Sequence, residues 1–175
     1  GLPGVNHPFR GWKLTNFEGG LRVPMFVKWP KKVAPGTRVS NPVAHIDLMP
    51  TLVAAADAKI PQDVELDGVD ILPLATGDEG AAWDRKTLFW QSGYYRVVRH
   101  EDWKLQISDN PKKTWLFDLA NDPTEQNNLA TSEPEKLAEL KALLAEHKAS
   151  AREPLYPFVA DMPVAVDKTL ATKFV

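Results

Sequence analysis

Hydrophobic positions change rhythm about halfway along the chain. In the first half they come in runs. Residues 23–29 (Val23, Pro24, Met25, Phe26, Val27, Lys28, Trp29) are almost continuously apolar, as in a strand covered on both faces. Pro30 and then Pro35-Gly36 close that strand with a turn. Asp47 is placed to cap a helix, Pro50 falls in its first turn, and Leu52 to Ala56 continue it. Leu66 to Asp70 reads as a turn and Ile71 to Leu74 as a short apolar segment. Ala75 to Gly80 is small and polar and marks a boundary between two units.

Beyond that boundary the period becomes two. Leu88-Phe89-Trp90 is a first strand and Tyr94 to His100 a second, rich in β-formers. Trp103, Leu105 and Ile107 alternate with Lys104 and Gln106, which predicts one apolar face and one wet face. Trp115, Phe117 and Leu119 repeat the alternation around Leu116 and Asp118. Short connections through Ser92-Gly93, Glu101-Asp102 and Asp109-Asn110-Pro111 favour an antiparallel meander. A helix follows: Ser132 and Glu135 have capping-box spacing, and Leu137, Leu140, Leu144 and His147 fall on one side. The predicted fold is α/β followed by α+β, a small antiparallel sheet with a packed C-terminal helix. The predicted divisions are 1–75, 76–158 and an extended tail over 159–175.

Composition narrows the function. Lys plus Arg is 21 against 23 Asp plus Glu, a formal net charge of -2, which argues against a nucleic-acid partner. The 175 residues include no cysteine, so this chain holds no disulfide, thiolate metal site or cysteine nucleophile. No apolar run reaches the length of a membrane span, and Gly1-Leu2-Pro3-Gly4 has no signal-peptide pattern.

The candidate chemistry sits in Arg10 to Pro24, a loop with a lysine, a carboxylate, two arginines and three glycines that leads into the apolar run. Such a loop presents charge to an anion. Lys13 carries a compact ammonium suited to a tetrahedral oxyanion. Glu18, Gly19, Gly20 and Arg22 read as structural: the glycines allow positive φ or close backbone approach, and Glu18 is placed to cap amides or pair with Arg10 or Arg22. Arg10, on the same loop as Lys13, and His7, at its start, are candidate substrate-binding residues. His45 and Asp47 are too closely spaced to share a metal on a helix, His100 and His147 have no ligand neighbours, and no metal ligand is assigned.

Lys13-Leu14-Thr15-Asn16-Phe17-Glu18-Gly19-Gly20-Leu21-Arg22-Val23-Pro24 resembles the K-x-T-x-x-E-G-G-x-R-x-P segment of type I sulfatases, arylsulfatase-like members of the alkaline phosphatase superfamily. Four further segments resemble that family in the same order: Val43 to Leu52 its S-x-x-D-L-x-P-T-L, Leu66 to Leu74 its L-D-G-x-S-L-x-P-L-L, Arg96 to Arg99 with Trp103 to Leu105 its R-A-V-R-x-x-x-W-K-L, and Leu116 to Leu129 its L-Y-D-L-x-x-D-P-x-E-x-x-N-L. The resemblance implies a sulfuric ester hydrolase in which Lys13 contacts sulfate. It implies that 1–75 is the end of the catalytic α/β domain and that most of the enzyme lies before Gly1. The formylglycine nucleophile and the Ca²⁺ ligands of the intact enzyme would lie there too, and this chain alone would be inactive and bind no cofactor. Ser40-Asn41-Pro42 lacks the rest of the nucleophile motif C/S-x-P-S/T-R and follows the lysine motif, so it is no nucleophile. Leu14 departs from the glycine or alanine common in the family. The implied partners are a sulfated small molecule or glycan and the rest of the catalytic domain, with self-association through exposed sheet edges and a periplasmic or secreted location. Two alternatives remain: a phosphate or phosphonate ester hydrolase of the same superfamily, and a non-catalytic binder of sulfated glycans using Arg10, Lys13, Arg22, Lys28, Lys31 and Lys32.

Overall fold

The computed structural model of the chain describes residues 6–77, 83, 85–152 and 155. Two compact units emerge: Gly1–Pro24 with Lys86–Val175, and Met25–Arg85.

The first unit is a four-stranded antiparallel meander, β1 (Thr87–Ser92), β2 (Tyr95–His100), β3 (Trp103–Asp109) and β4 (Lys112–Asp118), in that spatial order. Each connection is two residues long, and Gly93 and Glu101 take positive φ, as tight hairpins require. The register pairs Leu105 with Leu116 and Val98 with Leu105. These three side chains face a helix over Pro134–Ser150, whose Leu140 is fully buried among them. Leu137 and Leu144 pack there too, and His147 stacks on Phe89 with ring centroids 4.0 Å apart. The expected Ser132 cap is not formed. The helix starts at Pro134 with Glu133 as its N-cap, and the Ser132 hydroxyl donates instead to Leu129 O.

The second face of the sheet overturns the expectation that it is wet. Lys104 and Gln106 are as buried as Leu105 between them. Their β4 partners, Phe117 and Trp115, form an apolar cluster with Phe17 and Leu119. The cover comes from residues that precede β1 by some seventy positions, so the alternation of β3 carried no trace of it. This is also why the segment before Pro24 packs with the sheet. The tail expected over 159–175 and residues 78–80 of the expected boundary segment lie outside the described residues.

The second unit holds a 3₁₀ turn (His45–Asp47) running into a helix over Leu48–Ala55, and a short helix over Leu72–Thr76 that ends on left-handed Gly77. The strand predicted over 23–29 is not formed. This stretch is irregular, with Val23 76% and Phe26 92% exposed. A strand needs a neighbour for its N–H and C=O groups, and among the described residues none pairs with it.

Candidate functional site

Lys13 sits at the tip of a tight turn. Thr15 closes it: its N–H donates to Trp12 O at 2.9 Å, its hydroxyl donates to the same oxygen at 2.8 Å, and the Trp12 N–H donates back to that hydroxyl at 3.1 Å. Lys13 and Leu14 are the two central residues. Leu14 has φ 79°, the left-handed value that a type II turn demands at its third position and that glycine accepts most readily. A β-carbon on Gly20 would collide with Thr15 O, and one on Gly19 with Arg10 O, while neither glycine has positive φ. Close backbone approach is therefore their role. It lets the single helical turn over Glu18–Leu21 lie against residues 10–15.

Beneath this turn is a buried charge cluster that sequence reasoning did not find. Lys104 Nζ donates to Glu18 Oε1 at 2.8 Å and lies 2.9 Å from Glu125 Oε1. The Glu18 N–H donates to Glu125 Oε2 at 2.6 Å. Lys104 and Glu125 are fully buried and Glu18 nearly so. Burial pushes the Glu125 carboxyl above its usual pKa, against the lowering pull of Lys104 and the Glu18 N–H. The partner of Glu18 is thus Lys104 rather than the expected Arg10 or Arg22. Long sequence separation, 86 residues for Lys104 and 107 for Glu125, hid the cluster.

The two arginines serve the loop itself. Arg10 is buried; its Nη1 donates to Glu125 O at 2.8 Å and its guanidinium lies 4.3 Å from the Phe17 ring centre. That position is inward, not the ligand-facing one expected. Arg22 lies over Phe9 at 4.8 Å, and its N–H donates to Glu18 O. His7 is exposed at the start of the loop. Lys13 is exposed too, and among the described residues its ammonium makes no hydrogen bond or ion pair. Chemically this is an exposed cation on a turn closed by hydrogen bonds between Trp12 and Thr15.

In the second unit Asp47 is the hub. Its carboxylate is fully buried and accepts Arg85 Nη2 at 2.6 Å, Ala44 N–H at 2.7 Å and Val69 N–H at 3.1 Å, with Arg85 Nη1 on the other oxygen. Thr51 Oγ1 donates to Asp47 O and accepts from the Ile71 N–H. A β-carbon on Gly68 would strike Ile46 O. Asp47 thus faces backward onto Ala44 instead of capping the helix ahead of it, and no side-chain cap bond is formed to that helix.

Residues 10–153 match the family described as N-sulphoglucosamine sulphohydrolase, C-terminal. The chain belongs to this sulfatase family. It is 38% identical over 98 residues to the steryl-sulfatase of Mus musculus, covering 56% of the chain and 16% of that relative. It is 36% identical over 172 residues to the arylsulfatase A of Bos taurus, covering 80% of the chain and 33% of the relative. The crystal structure of Ps i-CgsB superposes with a TM-score of 0.72 at 30% identity, over 86% of the chain and 34% of that protein. The same protein is also known in complex with k-i-k-neocarrahexaose. The sulfatase chain thus spans between 16% and 34% of the length of these relatives.

Each motif that resembled the family now has a physical role. K-x-T is the clasped turn at Lys13, and E-G-G supplies an anchor and two backbone contacts. The aspartate of Val43 to Leu52 and the glycine of Leu66 to Leu74 meet at Asp47 and Gly68. The lysine of Trp103-Lys104-Leu105 and Glu125 of the last motif complete the buried cluster. Among the described residues no group of three or more His, Cys, Asp or Glu side chains is arranged to hold a metal ion. Nor is any described helix long and apolar enough to cross a membrane.

Proposed function

We propose that this chain is part of an enzyme that hydrolyses sulfate esters and that Lys13 contacts the sulfate. The observation that carries this reading is the exposed ammonium of Lys13, which makes no hydrogen bond or ion pair among the described residues, on a turn closed by Trp12 and Thr15. Cleavage of the ester places charge on the sulfuryl oxygens and on the leaving oxygen. An ammonium positioned beforehand offsets that charge without reorganising. In this proposal the formylglycine nucleophile and Ca²⁺ belong to parts of the enzyme other than these residues, and the chain by itself is inactive. The substrate is a sulfated small molecule or glycan; the oligosaccharide carried by Ps i-CgsB favours the glycan. A periplasmic or secreted location belongs to the same reading.

Replacing Lys13 by Ala in the complete enzyme should lower kcat/KM for an aryl sulfate by about 10²–10³-fold. Unchanged turnover would remove Lys13 from the site. Faster hydrolysis of the matched aryl phosphate than of the aryl sulfate would replace sulfate with phosphate as the substrate anion.

A further inference from the structure

We infer that Lys104, Glu18 and Glu125 position the anion-contact lysine: the C-terminal sheet is the mount on which the Lys13 turn is held. The inference rests on the reading of Lys13 above. A single chain of contacts leads from the sheet to the turn. Lys104 projects from the second position of β3, on the face opposite the helix Pro134–Ser150. Its ammonium grips the Glu18 carboxylate, and Glu125 grips the Glu18 N–H, so the first residue of the Glu18–Leu21 turn is held by side chain and backbone at once. From there Gly19 N–H donates to Arg10 O, and Gly20 is in backbone contact with Thr15, which clasps the Lys13 turn. Arg10 closes the circuit by donating to Glu125 O. Every link is buried or part-buried and most are hydrogen bonds.

A buried ion cluster is a poor source of net stability, since apolar groups of like volume often serve as well. What such a cluster supplies is directed geometry, and the only exposed cation without a partner on the elements it fixes, among the described residues, is Lys13. Lys104, Glu18 and Glu125 are positioning residues: none of them is placed to touch the ligand.

The test compares Lys104→Met with Leu140→Ala, which empties a core position on the opposite sheet face. Amide hydrogen exchange is read at Thr15 and Gly19 and, as a reference, at Val98 and Leu105. Inorganic sulfate is titrated while the Lys13 resonances are followed. In Lys104→Met, protection at Thr15 and Gly19 is expected to fall at least tenfold more than at Val98 and Leu105, and sulfate affinity to fall with it. In Leu140→Ala, Val98 and Leu105 lose at least as much protection as Thr15 and Gly19, and sulfate affinity stays. Equal losses at both sets in Lys104→Met, or unchanged affinity once the turn has loosened, would overturn the inference. If Lys104→Met does not fold, the neutral triple variant K104M/E18Q/E125Q replaces it, with the same expectation. Loss of the sheet in that variant as well would make the cluster a general core element and overturn the inference too. All variants are made in the complete enzyme; should sulfate fail to perturb Lys13 in the unaltered complete enzyme, the sulfate reading fails, while the exchange data still decide whether Lys104 holds the turn.

Discussion

Leu14 shows most clearly how a single residue sits in this loop. Its left-handed φ costs an L-residue roughly 1–2 kcal/mol, and its side chain is 63% exposed, so little packing offsets that cost. Leu14→Gly relieves the strain but gives the unfolded chain more freedom. The net is expected to be a gain of up to about 1 kcal/mol, read as a higher urea midpoint. Gly20→Ala should act in the opposite sense. The new methyl would lie inside contact distance of Thr15 O and Trp12 O, both backbone atoms with nowhere to go. A loss of about 1–3 kcal/mol is expected, with weaker protection of the Thr15 amide. Lys13, Glu18 and the glycines were legible in the sequence as a charged loop of special geometry. The inward turn of Arg10 was not, because the carbonyl it binds, that of Glu125, is 115 residues away.

At the scale of elements, the strands and the C-terminal helix could be read directly. Alternation of period two and leucines at helical spacing are local signals, and the two-residue connections left the meander as the natural topology. The run at 23–29 misled for the opposite reason: apolar continuity proposes a strand, but only a neighbouring ladder makes one. The link between Asp47 and Arg85 was also invisible, since two residues 38 positions apart carry no joint pattern. Its chemistry gives a sign. Burial alone raises the Asp47 pKa, but hydrogen bonds from Arg85, Ala44 and Val69 together outweigh it and hold the carboxyl below its ordinary value of 3.8. The folded state therefore binds this proton less readily than the unfolded one. The stabilisation is present above the ordinary value and is lost as pH falls through the lower folded value. Asp47→Asn should cost about 3–5 kcal/mol at neutral pH, because Arg85 is left part-buried without its charge partner. It should also remove this contribution to acid unfolding between about pH 2 and 5, measured by urea midpoints.

For the whole molecule, Glu125 bends the pH profile the other way. Its pKa lies above the ordinary 4.5 in the folded state, chiefly through burial, so folding favours its protonated form. That contribution is full below the ordinary value and declines as pH rises through the raised folded value. Glu125→Gln should flatten this decline, seen as a smaller difference in urea midpoint between about pH 4 and 7. The exposed apolar stretch with Val23, Met25, Phe26 and Val27 should drive the isolated chain to self-associate, and Phe26→Lys should shift its light-scattering mass toward the monomer. What the amino-acid order determined unaided was what neighbours along the chain can settle: period, turn chemistry, the motifs of the Lys13 loop and hence the sulfatase family. What only tertiary structure decided was which polar residues are buried and with whom. Lys104 looked like a solvated strand residue because its two carboxylate partners, Glu18 and Glu125, reach it only when the chain folds back over the sheet. A charge becomes an anchor through proximity in space, and proximity in space is not written in any local stretch of sequence.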